Sequence, residues 1–311
     1  MINEKFKLWL SQQSPQARYW LGALLVFMGS IGFSAKAVLI KLAYQYPVNF
    51  VSLLTLRMLF AMPFYGLVAW FLSNKTNNQK LKSRQWFRLA VLGVLGYYVA
   101  SILDFWGLQY VTASVERLIL FVYPTIVLVT TALVFKKKIT GIQYLSLVLT
   151  YLGIYCAFAS DMAAGLQLNL AKGAILIFLS ALTYAIYLVF SGDMIPKIGS
   201  IKFTCYAMLF AGIAVIINCL VANGLSVFSF QKEVYWIAFF MAIFSTVIPT
   251  FMVAEGMNLI GASNASLIAA VGPISTIIMA YFFLGESVSF VQIVGTVIVL
   301  IGVLMISWKG K

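Results

Sequence analysis

Apolar runs long enough to cross a lipid bilayer, separated by short polar stretches, make up most of this chain. A spanning helix needs about 20 mostly apolar residues. Ten segments meet that requirement: Tyr19–Ala43, Val48–Leu72, Trp86–Tyr110, Ala113–Phe135, Ile142–Ser160, Leu170–Phe190, Ser200–Val221, Val234–Leu259, Ala262–Leu284 and Ser289–Trp308. The pattern predicts an all-α integral membrane protein of ten transmembrane helices, with no residues left over for a soluble domain. A transmembrane β-barrel would show alternating segments of about ten residues instead. Composition agrees: 63% of the residues are hydrophobic and only 9% are charged, against roughly a quarter in a soluble domain.

The net charge of +13 would on its own admit a nucleic-acid partner, but the basic residues form no single patch. With the N-terminus inside, the terminal segments and even-numbered loops hold Lys5, Lys7, Arg18, Lys75, Lys80, Lys82, Arg84, Arg88, Lys136, Lys137, Lys138, Lys197, Lys202, Lys309 and Lys311. The other side holds Lys172 and Lys232. This split follows the positive-inside rule and predicts both termini in the cytoplasm of a bacterial inner-membrane protein. Trp20, Trp70, Trp86, Trp236 and Trp308 fall near predicted helix ends, where aromatic belts form. Cys156, Cys205 and Cys219 all fall within spans and read as small apolar fillers. The N-terminus has no small-residue cleavage site after a short apolar core, so the first segment is expected to stay as an uncleaved anchor.

The chain repeats itself. Gly107–Gly153, shifted by 149 positions, lands on Gly256–Gly302 without a gap. Ala113-Ser114 then meets Ala262-Ser263, Pro124 meets Pro273, and Gln143 meets Gln292. Upstream the register drifts by one or two: Gly22-Ala23 matches Gly173-Ala174, and Met58-Leu59-Phe60 matches Met208-Leu209-Phe210. Five helices per half is an odd number, so the second half enters the membrane from the opposite side. The expected organisation is two inverted five-helix repeats (5+5), residues 1–160 and 161–311, an architecture associated with alternating access. Gly295 and Gly302 lie on one face of the last helix, and the repeat puts Ser146 and Gly153 at the same places of the fifth. Small faces allow close packing. They predict a structural contact, between halves or between protomers of a homodimer.

Met28-Gly29-Ser30-Ile31-Gly32-Phe33-Ser34-Ala35-Lys36, Arg57, and Gly256–Gly302 with its Ala-Ser, Gly-Pro, Leu-Gly-Glu and late Gly signatures together resemble the EamA type of the drug/metabolite transporter superfamily. The resemblance covers nearly the whole chain. It implies export or exchange of amino acids and other small metabolites through a central cavity between the halves. Two departures stand out. Met28 takes the place of a usual Trp, and Lys137 follows the fourth helix where the family often has an acidic residue, which Glu286 keeps in the second half.

Charged side chains inside a span cost several kcal/mol and usually mark a pathway or a buried pair. Lys36, Lys41, Arg57, Asp104, Glu116, Arg117 and Glu255 all fall within the predicted spans. Lys41 can snorkel to the interface. Lys36, Arg57 and Asp104 lie deepest, roughly 5–9 Å outward of mid-span at about 1.5 Å per residue. Two readings stand: Lys36 and Asp104 meet a charged or zwitterionic solute, or two of Lys36, Arg57 and Asp104 form a salt bridge that holds the first half together. Arg57 is read as a structural ion. Glu116 and Arg117 point about 100° apart, so one of them is a candidate for gating or proton coupling at the outer side, with Glu255 a candidate at the inner side. Pro124 and Pro273 each remove a helix hydrogen bond near mid-membrane, which predicts kinked cavity walls. Tyr98, Trp106, Tyr123, Tyr184 and Tyr187 are aromatic candidates for lining the substrate site.

The sequence contains no histidine, no HExxH and no phosphate-cradling glycine motif, so no metal, cofactor or enzymatic role is expected. Nor is there a nucleotide-binding domain to drive pumping. The expected function is secondary transport of a small polar metabolite, an amino acid or related zwitterion in the direction of export. The alternatives are exchange of phosphorylated or nucleotide-type metabolites and, third, export of hydrophobic drugs.

Overall fold

Among the described residues, four of the long helices end at a residue of positive φ: Lys136, Gly224, Gly261 and Gly285. In a computed structural model of the chain, which describes residues 14–73, 81–136, 138–163, 169–192, 194–224 and 229–308, Pro15 opens the first helix. There the Ser14 hydroxyl accepts from the Ala17 N–H at 3.1 Å. Ten helices follow the predicted order: α1 (Pro15–Ala43), α2 (Phe50–Ser73), α3 (Ser83–Gly107), α4 (Ala113–Phe135), α5 (Gly141–Ala163), α6 (Leu170–Ser191), α7 (Ser200–Asn223), α8 (Lys232–Ile260), α9 (Ala262–Leu284) and α10 (Phe290–Trp308). Among the described residues, seven of these are long and apolar enough to cross a bilayer, and the apolar parts of α5, α9 and α10 are shorter. Lys5, Lys7, Lys75, Lys80, Lys137, Lys309 and Lys311, counted above for orientation, lie outside the described residues, as does the side chain of Trp308.

Two helices are broken where proline requires it. Pro124 cannot donate to the carbonyl of Leu120, and its ring crowds that turn. The first piece of α4 accordingly ends at Leu120, and Tyr123–Phe135 resumes beyond it. Pro273 stands in the same relation to Ala269, where the first piece of α9 ends before Val271–Leu284. Two further irregularities are π-helical segments: Val94–Val99 in α3, which contains no proline, and Ile243–Val247 in α8, just ahead of Pro249, which cannot donate to the carbonyl of Ser245.

These features recur at the 149-residue spacing. The eight-residue pieces Ala113–Leu120 and Ala262–Ala269, and the starts of the π-helical segments at Val94 and Ile243, all correspond. So do the left-handed residues that end α4 and α9, Lys136 (φ 53°) and Gly285 (φ 66°). Packing follows the same exchange. α1 lies against α8 and α9, as α6 lies against α3 and α4, while α2 packs on α7 and α5 on α10.

Glycines make these contacts close. A Cβ on Gly256 would lie 2.8 Å from the Gly22 carbonyl oxygen, and one on Gly173 would lie 3.0 Å from that of Gly107. Between α5 and α10, a Cβ on Gly153 would come within 2.5 Å of the Gly295 carbonyl oxygen, and the Ser146 hydroxyl donates to the carbonyl of Gly302. Of the two arrangements expected for these small faces, the contact between halves of one chain is the one present. Lipid gives no hydrophobic drive between helices, so such close backbone approach carries much of the association. The outward faces are correspondingly apolar: Phe87, Leu133, Val221, Phe282 and Phe290 are between 72% and 84% exposed.

Candidate functional site

α1, α3 and α4 bring three charged side chains together inside the first half. The Lys36 ammonium lies 2.5 Å from Asp104 Oδ2 and 3.4 Å from Glu116 Oε1. Asp104 and Glu116 are almost wholly buried, whereas the Lys36 side chain keeps some exposure. Both ion pairs found among the described residues belong to Lys36. Arg57, also buried, donates to Ser101 Oγ at 3.2 Å and lies over the Phe105 ring, 4.9 Å from its centroid. The ion pair inside the first half therefore joins Lys36, rather than Arg57, to Asp104.

Glu116 and Arg117 diverge as adjacent helical residues must. Glu116 turns into the Lys36 cluster. Arg117 turns across the bundle towards the second half, with Nη2 3.4 Å from Ser34 Oγ and against Gly272, where a Cβ would lie only 2.6 Å from it. Ser34 ties the same place together, donating to the Gly272 carbonyl at 2.9 Å, while Thr276 Oγ1 donates to the Ser34 carbonyl at 3.2 Å. Arg117 Nε is buried without a hydrogen-bond partner. Gly272 and Pro273 border the α9 break, so the cation sits beside interrupted backbone, the kind of place where membrane proteins expose polar groups inside a bundle.

Three of the five aromatic candidates meet. Tyr123 stands edge-on to Tyr184, with ring centroids 5.5 Å apart, and Tyr184 stands 5.7 Å from Tyr187. Tyr97 completes the row, its hydroxyl accepting from that of Tyr187 at 3.1 Å. Sequence reasoning singled out Tyr98 and passed over Tyr97; both sit in the π-helical turn, which rotates the side chains away from ordinary helical phase. Tyr98 is half-buried and stands outside that row. Trp106 lies elsewhere, stacked on Phe50 at 5.6 Å beneath Lys172. Pro124 and Pro273 flank the tyrosines and Arg117 respectively. Glu255 bonds to Asn258 on its own helix at 3.4 Å and does not join the cluster.

A contact that sequence reasoning treated as a loop position links the halves at the end of the bundle where α3 turns into α4. Glu286, between α9 and α10, accepts from the Ala113 N–H at 2.8 Å, the Ser114 N–H at 3.2 Å and the Ser114 hydroxyl at 2.8 Å. A carboxylate there satisfies amides that have no partner within the helix and meets the positive end of the α4 dipole. Its signal in the sequence is the offset register, which pairs Ala113-Ser114 with Ala262-Ser263 and residue 286 with residue 137.

Residues 20–159 and 171–308 each match the EamA-like transporter family, one match per five-helix half. The chain belongs to the EamA-like transporter family. That places this EamA-like protein in the drug/metabolite transporter superfamily and makes it a multi-pass membrane transporter. It is 33% identical over 289 residues to the uncharacterized transporter YcbK of Bacillus subtilis (strain 168), covering 91% of this chain and 92% of that one. It is 25% identical to the uncharacterized transporter YyaM of the same strain, over 70% of this chain and 72% of YyaM. A solved protein crystal structure has the same fold at a TM-score of 0.64 and 13% identity, with 91% of this chain and 95% of that one covered.

Proposed function

We propose that this EamA-like transporter is a secondary transporter that moves a small polar metabolite with an anionic group, an amino acid or related zwitterion, outward across a bacterial inner membrane. The observation that carries this reading is Arg117. It is a guanidinium at the meeting of α1, α4 and α9, touching both halves, with a buried N–H left over and no carboxylate partner among the described residues. A solute carboxylate can take that N–H in a charge-assisted hydrogen bond. Tyr123 and Tyr184 lie within electrostatic reach of Arg117 and offer ring faces and hydroxyls to the rest of the solute. The halves, related by the 149-residue spacing and inverted by their odd helix count, would alternate around this site, with both termini cytoplasmic.

The test is solute counterflow in proteoliposomes, with a panel of labelled amino acids and, in parallel arms, phosphorylated metabolites and a hydrophobic cation. Wild type is expected to exchange at least one amino acid. Arg117→Ala is expected to raise the half-saturation concentration about 10- to 100-fold, since hydrogen bonds to charged groups contribute about 1.5–3 kcal/mol. Arg117→Lys should recover part of that loss. An Arg117→Ala protein that is folded and exchanges like wild type would sink the assignment, and exchange confined to the phosphorylated arm would replace the substrate class.

A further inference from the structure

The Lys36 cluster contains an imbalance. One ammonium serves two buried carboxylates, and in Glu116 neither oxygen has a hydrogen-bond donor; Asp104 Oδ1 lacks one too. Asp104 Oδ2 and Glu116 Oε1 lie against the same ammonium, at 2.5 and 3.4 Å, and two ionised carboxylates there supply no proton for a bond between them. Buried like charges at one site cannot both stay ionised cheaply, and an intramembrane carboxylate is a functional-site hypothesis in its own right.

Every charged or titratable group around the pair bears on which acid holds a proton. From α1 come Lys36, bonded to Asp104, and Lys41, which is spent on the Leu108 carbonyl at 3.1 Å. Tyr44, just beyond α1, is spent on the Phe105 carbonyl at 2.6 Å. From α2 comes Arg57, whose charge reaches Asp104. Arg117, next to Glu116 on α4, turns away to Ser34 and Gly272. Glu286 beyond α9 is occupied with Ala113 and Ser114 and faces Lys41. Lys36 thus lies closer to Asp104, at 2.5 Å, than to Glu116, at 3.4 Å, which makes Glu116 the better placed of the two acids to carry hydrogen.

We infer that Asp104 and Glu116 form a proton-binding site, with the proton on Glu116 bridging to an Asp104 carboxylate held by Lys36, and that this proton is exchanged with water as solute moves. The inference rests on the transport reading for its second half only; the proton site itself does not need it. When the proton leaves, the cluster carries an uncompensated negative charge, and the Lys36 bond must be shared or redrawn. That change would be felt along α1, which also carries Ser34 and so touches Gly272 in the second half. The cluster and the Arg117 position are therefore joined through one helix.

Infrared titration of the purified full-length chain in lipid nanodiscs tests the site. Wild type is expected to show a protonated carboxyl stretch at neutral pH that disappears as pH rises. Glu116→Gln and Asp104→Asn, each checked for folding by size-exclusion chromatography, are expected to lose or shift that band. Absence of a titrating carboxyl band in wild type overturns the inference with no variant needed, and so does a band unchanged in a folded Glu116→Gln. Coupling is read in proteoliposomes loaded with a pH-sensitive dye. Addition of the solute identified by counterflow is expected to move protons in wild type and not in Glu116→Gln. Counterflow in wild type without a carboxyl band would defeat the proton site and leave the transport reading intact. A band in wild type with no solute exchanged would do the reverse.

Discussion

At the scale of the residue, Lys36 is the most exposed to test. Removing its charge strands the buried Asp104 carboxylate, and breaking a buried pair by deleting one partner costs about 3–5 kcal/mol. Lys36→Met, which keeps the length of the side chain, is expected to lower thermal stability in detergent by a loss of that order. Adding Asp104→Asn is expected to restore part of it, since the second change removes the stranded charge. If Lys36→Met melts like wild type, the two bonds drawn to Lys36 do not hold in the folded protein. The residue types at this site were visible in the sequence, because charges within apolar runs are rare and conspicuous. Their partners were not. Whether Asp104 turns to Lys36 or to Arg57 depends on how α1, α2 and α3 rotate against one another, and the π-helical segment of α3 alters that rotation just before Asp104.

Elements were the most legible level. The predicted ends agree with the observed helices to within a few residues, and the fourth segment matches Ala113–Phe135 at both ends. The reason is physical: lipid forces every backbone amide into a helix over a fixed thickness, so an apolar run of the right length leaves the chain little choice. The breaks at Pro124 and Pro273 were legible because proline removes a donor; the π-helical segment of α3 has no such marker, and that of α8 lies just before Pro249, which sequence reasoning passed over. Two element-level expectations follow. Gly153→Val places a branched side chain against the α10 backbone, and overpacking of this kind costs about 1–3 kcal/mol. A lower melting temperature is the readout, and an unchanged one would mean that α5 and α10 are not in contact. Glu286→Gln keeps the shape of the cap but removes its charge. Amides 113 and 114 are then expected to exchange hydrogen for deuterium about tenfold faster, the ratio that corresponds to 1.4 kcal/mol of weakened protection.

For the whole molecule, the decisive question is which loops share a side of the membrane. In a background with Cys156, Cys205 and Cys219 changed to Ala, Lys138→Cys and Ser287→Cys are expected to react with an impermeant maleimide from opposite faces, with Lys138→Cys on the cytoplasmic one. Both positions are exposed. Labelling of the two from one face would end the inverted reading of the halves, however similar their sequences. The pairing of helices across those halves could not be read from the sequence, because lipid-facing and partner-facing apolar residues look alike. What could be read was the recurrence of glycines, and these turn out to touch: Gly22 with Gly256, and Gly107 with Gly173.

The carboxylate of Glu286 seated on the head of α4 has one more consequence. Its opposite number by the repeat is Lys137, a cation where the mirrored latch would call for an anion. The two rest positions of a rocking molecule would then be unequal, one bolted and the other not, so that an empty transporter dwells with the same door shut and cargo supplies the work of opening it. Exchanging the two charges, Glu286→Lys together with Lys137→Glu, is expected to reverse which door stays shut, as read by the side from which labels reach Tyr123→Cys in the cysteine-free background.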